Sequence, residues 1–552
     1  MKLIKISFLL FMVFSFQSVQ AQKRKKKKKP ESTEKSSKDT LKKITAVTNK
    51  SKKFEGLFTI YQDTIDGKIN LEIQEDQIGK EFIYFSQSTN GVTAARGFTG
   101  NYRESKVIRI DKYFNKIEFV QINTSSYFDP TNEISRSAEA NMPNSILASC
   151  EIIAASPKGV AFLIDANQLF KSETFAQVKP SRHPKQSPMA FSLGNLSKDK
   201  TKINAIRSYP ENTDIAVEYV YSRPSVLNGG GRDVTDARNV SMKIYHSFIA
   251  MPENDFKPLI EDPRVGYFTT QVTDMTSRES ANYRDLVHKW NLVKKDPNAA
   301  MSEPVEPITW WMENTTPKNL RPIIKEAAEK WNIAFEKAGF KNAVVIKQQP
   351  DDADWDAGDI RYNVLRWTAS PYPPFGGYGP SFVNPRTGEI LGADIMFEYG
   401  SVLGRIRQQD FFDQSGTAAF QIEDDNAIIH SEHMGCQASK IGAINNAFAG
   451  LVLKYIDGET IENSQLVKEY LNYLILHEIG HTMGLNHNMK ASNMHDLASI
   501  HNKKLTEKVG LMGSVMDYPS INANKDRSKQ GNYYTTRPGP YDLWAIQYAY
   551  EN

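Results

Sequence analysis

The chain has 552 residues, 40% hydrophobic and 24% charged, with 28 Phe, 24 Tyr and 7 Trp; that is the make-up of a globular protein of roughly two to four domains, and it excludes collagen, coiled-coil arrays and polytopic membrane proteins. Two cysteines, Cys150 and Cys436, exclude a disulfide scaffold. The formal net charge of +4 hides an asymmetry: residues 1–21 contribute 2 positive charges, the run at 23–29 contributes 7 and residues 31–53 a net 4, which leaves −9 for residues 54–552 and no nucleic-acid footprint on the folded part.

In chain order, Lys2 and Lys5 precede an apolar run of 11 residues, Ile6–Phe16, and Val19-Gln20-Ala21 places small residues at cleavage positions. This is the pattern of a secretory signal peptide over residues 1–21, and the run is shorter than the roughly 20 residues that a spanning helix needs. No later apolar run approaches that length, so the mature chain is expected to lack a transmembrane segment and to be secreted, periplasmic or on the cell surface. Residues 22–53, lysine-rich with Pro30 and scattered Ser and Thr, read as a basic disordered tail, a solvated spacer that could bind anionic lipid or polysaccharide.

Residues 54–295 read as a β-rich accessory domain. Phe58–Ile73 is a predicted hairpin around Asp66-Gly67, and Val107–Ile110 and Ile117–Ile122 flank Asn115 in the same way. Further strands are predicted at Ile152–Ile164, Ile215–Tyr221, Met242–Ala250 and Val265–Val272, with Asn228-Gly229-Gly230-Gly231 as a turn between them. His183, His246 and His288 stand alone and read as structural. The polar, proline-bearing stretch 294–307 marks a boundary, and residues 305–552 change character. Ile308–Met312 is a predicted strand. Leu320, Ile323, Ile324, Ala327, Ala328, Trp331 and Phe335 then recur at helical spacing up to Gly339. Strands are predicted at Val344–Ile346, Ile360–Leu365, Ser381–Val383 and Ile390–Phe397, the last two flanking the turn 384–388, and helices at 437–456 and 464–483. The fold class is therefore α+β.

Residues 477–487 read His-Glu-Ile-Gly-His-Thr-Met-Gly-Leu-Asn-His. His477 and His481 stand about 400° apart on a helix, one turn along the same face, which suits two nitrogens on one zinc ion. Glu478 lies about 100° round, within reach of a water on that ion. In a continued helix His487 would sit about 240° and 9 Å away from His481, too far to share the metal. The chain must leave the helix between them, and Gly484 is the residue that permits a turn with positive φ. Three histidines leave a coordination position open, as catalytic zinc sites do.

The His-Glu-x-x-His-x-x-Gly-x-x-His pattern resembles the extended zinc signature of the metzincins, and Ser514-Val515-Met516-Asp517-Tyr518 resembles their Met-turn, with Met516 in the role of the methionine beneath the zinc. The Ser-x-Met-x-Tyr form is similar to the astacin and serralysin subfamilies, which implies Tyr518 as a fifth, switchable zinc ligand. Residues 540–546 resemble the last metzincin helix, which implies a bond from Asp542 back to the Met-turn. The likeness covers roughly residues 305–552, and the region before it resembles the β-rich module found ahead of this domain in large secreted bacterial zinc metalloproteases. It implies a mixed twisted sheet with helices, an active-site helix and a Met-turn. The stretch from Phe397 to Gln437 is longer than in a small metzincin, and the chain stops directly after the last helix.

Two other clusters invite metal. His430, His433 and Cys436 follow one another at i, i+3 and i+6, with Asp424 and Asp425 upstream, and Asp351, Asp352, Asp354, Asp356 and Asp359 form an acidic run that invites Ca2+. The expected function is that of a secreted zinc-dependent metalloendopeptidase acting on a protein or peptide substrate. Zinc-activated water attacks the peptide carbonyl, and Glu478 is the general base. Either Ile390–Phe397 or Ser381–Val383 is the expected edge for an extended peptide. The rival is a cell-surface binding protein whose zinc domain is inactive; intact Glu478 and an open zinc position favour the enzyme.

Overall fold

The computed structural model describes residues 41–398 and 464–551, apart from 139, 183, 188, 356–357 and 371–376. The expected signal peptide, most of the basic tail, His183, Asp356, the helix at 437–456 and the cluster of Asp424, Asp425, His430, His433 and Cys436 lie outside the described residues. Cys150 is half-buried, and burial pushes its thiol up to about 11.

The main sheet of the first half is antiparallel but for a short parallel pairing of Lys42–Lys43, at the described end of the expected tail, with Ala154–Ala155. Its longer strands are β1 Ser51–Phe54, β2 Thr59–Asp63, β3 Ile69–Gln74, β4 Glu81–Asn90, β5 Tyr102–Tyr113, β6 Lys116–Gln121, β7 Ser145–Ala155, β8 Ala161–Asp165, β9 Lys202–Ser208, β10 Asn212–Ser222 and β11 Asn239–Ala250, and the short Asn195–Leu196 pairs with Tyr221–Ser222. They run in the order β10–β11–β4–β5–β6–β7–β8–β3–β2–β1, with β9 also on β10. Alternation sets which face is buried: in β3, Ile69, Leu71 and Ile73 are buried and their neighbours are not. The sheet curls back on itself, because Leu57 N–H donates to Tyr209 O at 2.6 Å and Phe58 N–H to Thr213 Oγ1 at 3.1 Å. The buried imidazole of His246 lies between the hydroxyls of Tyr84 (2.7 Å) and Tyr219 (2.8 Å), and burial pushes its pKa down to about 3, the environment of a structural histidine.

The expected strand Ile152–Ile164 is instead the hairpin of β7 and β8. Ser156-Pro157-Lys158-Gly159 interrupts the apolar run, and Ser156 Oγ accepts from the N–H groups of Val160 and Ala161, both at 3.0 Å. The expected strand Val265–Val272 is also broken up: Tyr267 bridges to Leu485, and Thr269–Thr270 alone pairs with Leu286–Val287.

The second half is built on β12 Lys289–Trp290, β13 Ile308–Met312, β14 Val344–Gln348, β15 Asn363–Thr368, β16 Gly377–Tyr378, β17 Ser381–Val383 and β18 Glu389–Glu398, in the order β12–β18–β15–β13–β14. β16 and β17 lie antiparallel on the outer side of β18, and the other pairings are parallel. β18 therefore has neighbours on both sides and is no edge; of the two edge candidates from sequence, β17 is the outer one. The helices are α1 Arg321–Glu329, α2 Asn332–Lys337, α3 Ser464–Thr482, α4 Lys503–Val509 and α5 Pro540–Tyr550. The single helix expected across 320–335 breaks at Lys330–Trp331, whose N–H groups bond the carbonyls of Ala327 and Ala328 three residues back. The break seats Trp331, which is fully buried and donates its indole N–H to Leu476 O of α3 at 3.0 Å. No helix among the described residues is long and apolar enough to cross a membrane. The whole is a mixed α and β structure with its strands concentrated in the first half.

The two sheets meet through named pairs. Arg386 grips Glu81 with two bonds of 2.6 Å, Asn254 donates to Glu389 at 2.7 Å, and the rings of Phe85 and Phe382 stack at 5.1 Å. Between them the buried Asp394 accepts from Tyr102 Oη at 3.4 Å and from Val364 N–H at 3.3 Å. Burial pushes its carboxyl up from 3.8 to about 7, against the opposing charge of Arg366. A raised carboxyl pKa favours the protonated form in the fold, so this contribution to stability is complete below pH 3.8 and is lost as the pH rises through about 7. Asp394→Asn should therefore lose less stability than the parent as the pH rises from 4 to 8, read as the difference between two series of thermal melts. Parallel pH profiles for the two proteins would contradict this.

Candidate metal centre

α3 is a core helix. Glu469 to Leu485 is buried throughout, so the helix packs on every side and cannot shift or rotate cheaply. His477 and Glu478 are fully buried and His481 nearly so. The helix ends as the sequence predicts: Gly484 N–H bonds His481 O at 3.0 Å, and Gly484 takes φ +92°. The chain reverses there and returns His487 to the same face. The ligand-bearing atoms of His477, His481 and His487 lie within 4.8 Å of one another.

Hydrogen bonds set the tautomers. His477 Nδ1 is 2.7 Å from Val515 O and His481 Nδ1 is 2.9 Å from Leu485 O. A carbonyl only accepts, so each Nδ1 carries the proton and each Nε2 presents a lone pair. His481 Nε2 and His487 Nε2 face each other at 3.0 Å. Burial drives the imidazoles toward the neutral form: His477 lies well below its ordinary range, His481 is pushed down to about 3, and His487 is lowered too. Neutral imidazole is the form that ligates a metal. Three converging nitrogen donors, two of them locked by carbonyls, fit the donor set of zinc.

The Met-turn lies against this helix. Met516 is fully buried, and a Cβ on Gly480 would meet its sulfur on one side and Trp331 Cζ2 at 3.0 Å on the other. Asp542, at the start of α5, accepts from Ser514 Oγ at 2.5 Å, Val515 N–H at 2.9 Å and Gly539 N–H at 2.8 Å; burial raises its carboxyl to about 6. Tyr518 Oη is 2.6 Å from His487 Nε2, so its hydroxyl sits on the side where the histidine nitrogens converge.

The described residues of the acidic run do not assemble a calcium site. Asp359 is buried and ion-paired with Arg361 at 2.7 Å, and among the described residues no three carboxylates of the run gather at one point. His288, expected to be structural, hydrogen-bonds Thr270 Oγ1 at 3.0 Å. Sequence reasoning missed Gly377 and Gly379. A Cβ on Gly377 would collide with the Glu478 carboxylate, and one on Gly379 would approach the Glu478 carbonyl at 2.6 Å. The run Gly376-Gly377-Tyr378-Gly379 carried the signal, as glycines mark close backbone approach.

Residues 459–552 match a family model described as Met-zincin, which supports a metzincin-type domain over that stretch. Residues 100–295 and 41–91 match two models described only as domains of unknown function. No curated protein and no solved structure matches the chain.

Alanine is normally the better helix former than glycine, by about 1 kcal/mol. Packing reverses the sign at Gly480, where an added methyl enters a filled space between Met516 and Trp331. Gly480→Ala should destabilise by about 1–3 kcal/mol in denaturant titrations; a more stable variant would contradict the close packing.

Proposed function

We propose that the metzincin-type domain makes this chain an exported zinc-dependent metalloendopeptidase, with His477, His481 and His487 as zinc ligands and Glu478 as the general base. One observation carries the reading: the ligand-bearing atoms of three imidazoles lie within 4.8 Å of one another, with the Nδ1 protons of His477 and His481 held by the carbonyls of Val515 and Leu485. A zinc ion there would supply Lewis acidity to a peptide carbonyl and to a water molecule. Glu478 takes the proton released by the attacking water and returns it to the departing amine nitrogen. The lack of a side chain at Gly377 and Gly379 leaves room for Glu478. Tyr518, whose hydroxyl is 2.6 Å from His487 Nε2, would stand beside a bound zinc ion as a further ligand, and its hydroxyl would donate to the oxygen that gains charge at the scissile carbonyl.

The substrate is an extended peptide. Among the described residues β17 pairs with β18 alone, which makes it the outer strand there and the candidate edge for another strand. Export rests on the pattern of residues 1–21 alone.

Glu478→Gln keeps shape and hydrogen bonding but cannot take up the proton, so peptide hydrolysis should fall by about 10²–10⁴-fold with zinc content unchanged. Parental turnover in that variant would remove Glu478 from the role. Tyr518→Phe should lower turnover by about 10²–10³-fold with thermal stability and zinc content near parental; unchanged turnover would reduce the tyrosine to packing. Hydrolysis of a proteome-derived peptide library and elemental analysis read both variants.

A further inference from the structure

The turn that delivers His487 is held from outside the metzincin-type stretch. Phe268 N–H donates to Gly484 O at 2.7 Å, and Asn486 N–H donates to Gly266 O at 2.9 Å, which makes a two-stranded bridge at Tyr267 and Leu485. One step back, Trp290 Nε1–H donates to Thr482 O at 2.9 Å, at the end of α3. His288 N–H donates to Phe268 O at 2.9 Å, and the His288 carbonyl occupies the place where a Cβ of Gly484 would stand. The Phe268 ring lies 5.6 Å from the ring of His481. Main-chain groups of residues 482, 484 and 486, at the reversal itself, thus find their partners in residues 266–290.

This arrangement has a physical consequence. Ligands three and four residues apart on a helix are held by the helix. A ligand beyond a turn is held only as well as the turn, and partners behind metal ligands typically contribute 10–100-fold in metal affinity. We propose that residues 266–290 are a positioning clamp for the third zinc ligand, so that the upstream half of the chain, matched only to a domain of unknown function, sets how tightly the site holds its metal. The clamp rests on the zinc reading above. It assigns no substrate contact to these residues; they act through the Gly484 turn.

The test uses the full-length chain loaded with zinc and titrated with a colorimetric chelator, well below the melting temperature. Trp290→Phe keeps an aromatic ring and removes the N–H to Thr482 O together with part of the indole. Phe268→Pro removes the amide donor to Gly484 O, and counts where its circular dichroism matches the parent. Both should bind zinc about 10–100-fold more weakly and release it correspondingly faster, while Tyr113→Ala, exposed on the far sheet, should behave as the parent. Cobalt substituted for zinc should show an altered visible spectrum in the clamp variants, which a loss of general stability would not produce. A parent that holds no zinc would remove the metallopeptidase reading. A zinc-holding parent with parental affinity in folded Trp290→Phe, and in Phe268→Pro where it folds, would overturn the clamp and leave that reading standing.

Discussion

A helix can offer two imidazoles to one ion but not three at this spacing, and the rest of the site depends on how the chain solves that constraint. His477 and His481 share a face of α3 because they are one turn apart. His487 joins them only because the chain reverses at Gly484, at φ +92°. Two conditions meet at that residue. The positive φ disfavours any side chain, and the carbonyl of His288 fills the space a Cβ would need. The reversal is thus both a backbone conformation and a packing contact between distant parts of the sequence.

The support on the other side of the helix runs through one buried carboxylate. Asp542 bonds Gly539 N–H at the start of α5 and both Ser514 and Val515 of the Met-turn, while Val515 O holds the Nδ1 proton of His477. A single group thereby connects the last helix to the tautomer of the first histidine. Burial alone would favour its neutral form; its three donors favour the charged one and offset part of that cost. Met516 and Trp331 both pack closely against Gly480, so that any side chain there would meet them.

The site was legible in the sequence because its requirements are local. The four-residue spacing of His477 and His481 and the glycine that ends the helix act within a few residues of one another, and the Met-turn, which lies further along the chain, was legible because its motif is contiguous in itself. Elements held by distant partners were less legible. The helix at 320–335 has an unbroken apolar period, yet it breaks at Lys330–Trp331 because the Trp331 indole must reach Leu476 O, 145 positions away. Val265–Val272 reads as a strand, yet its backbone is divided between Leu485, Gly484 and residues 286–287. The run Asp351–Asp359 has the composition of a calcium loop, but Asp359 turns inward to Arg361. Composition records which groups are present; it does not record which of them a remote side chain will claim.

In the proposed function His477, His481 and His487 together hold one zinc ion. X-ray absorption at the zinc edge of the purified full-length protein tests it most directly. The account predicts one zinc per chain with three imidazole nitrogens at about 2.0–2.1 Å, completed by oxygen donors. A sulfur shell at about 2.3 Å, or a zinc environment unchanged in His487→Ala, would contradict it.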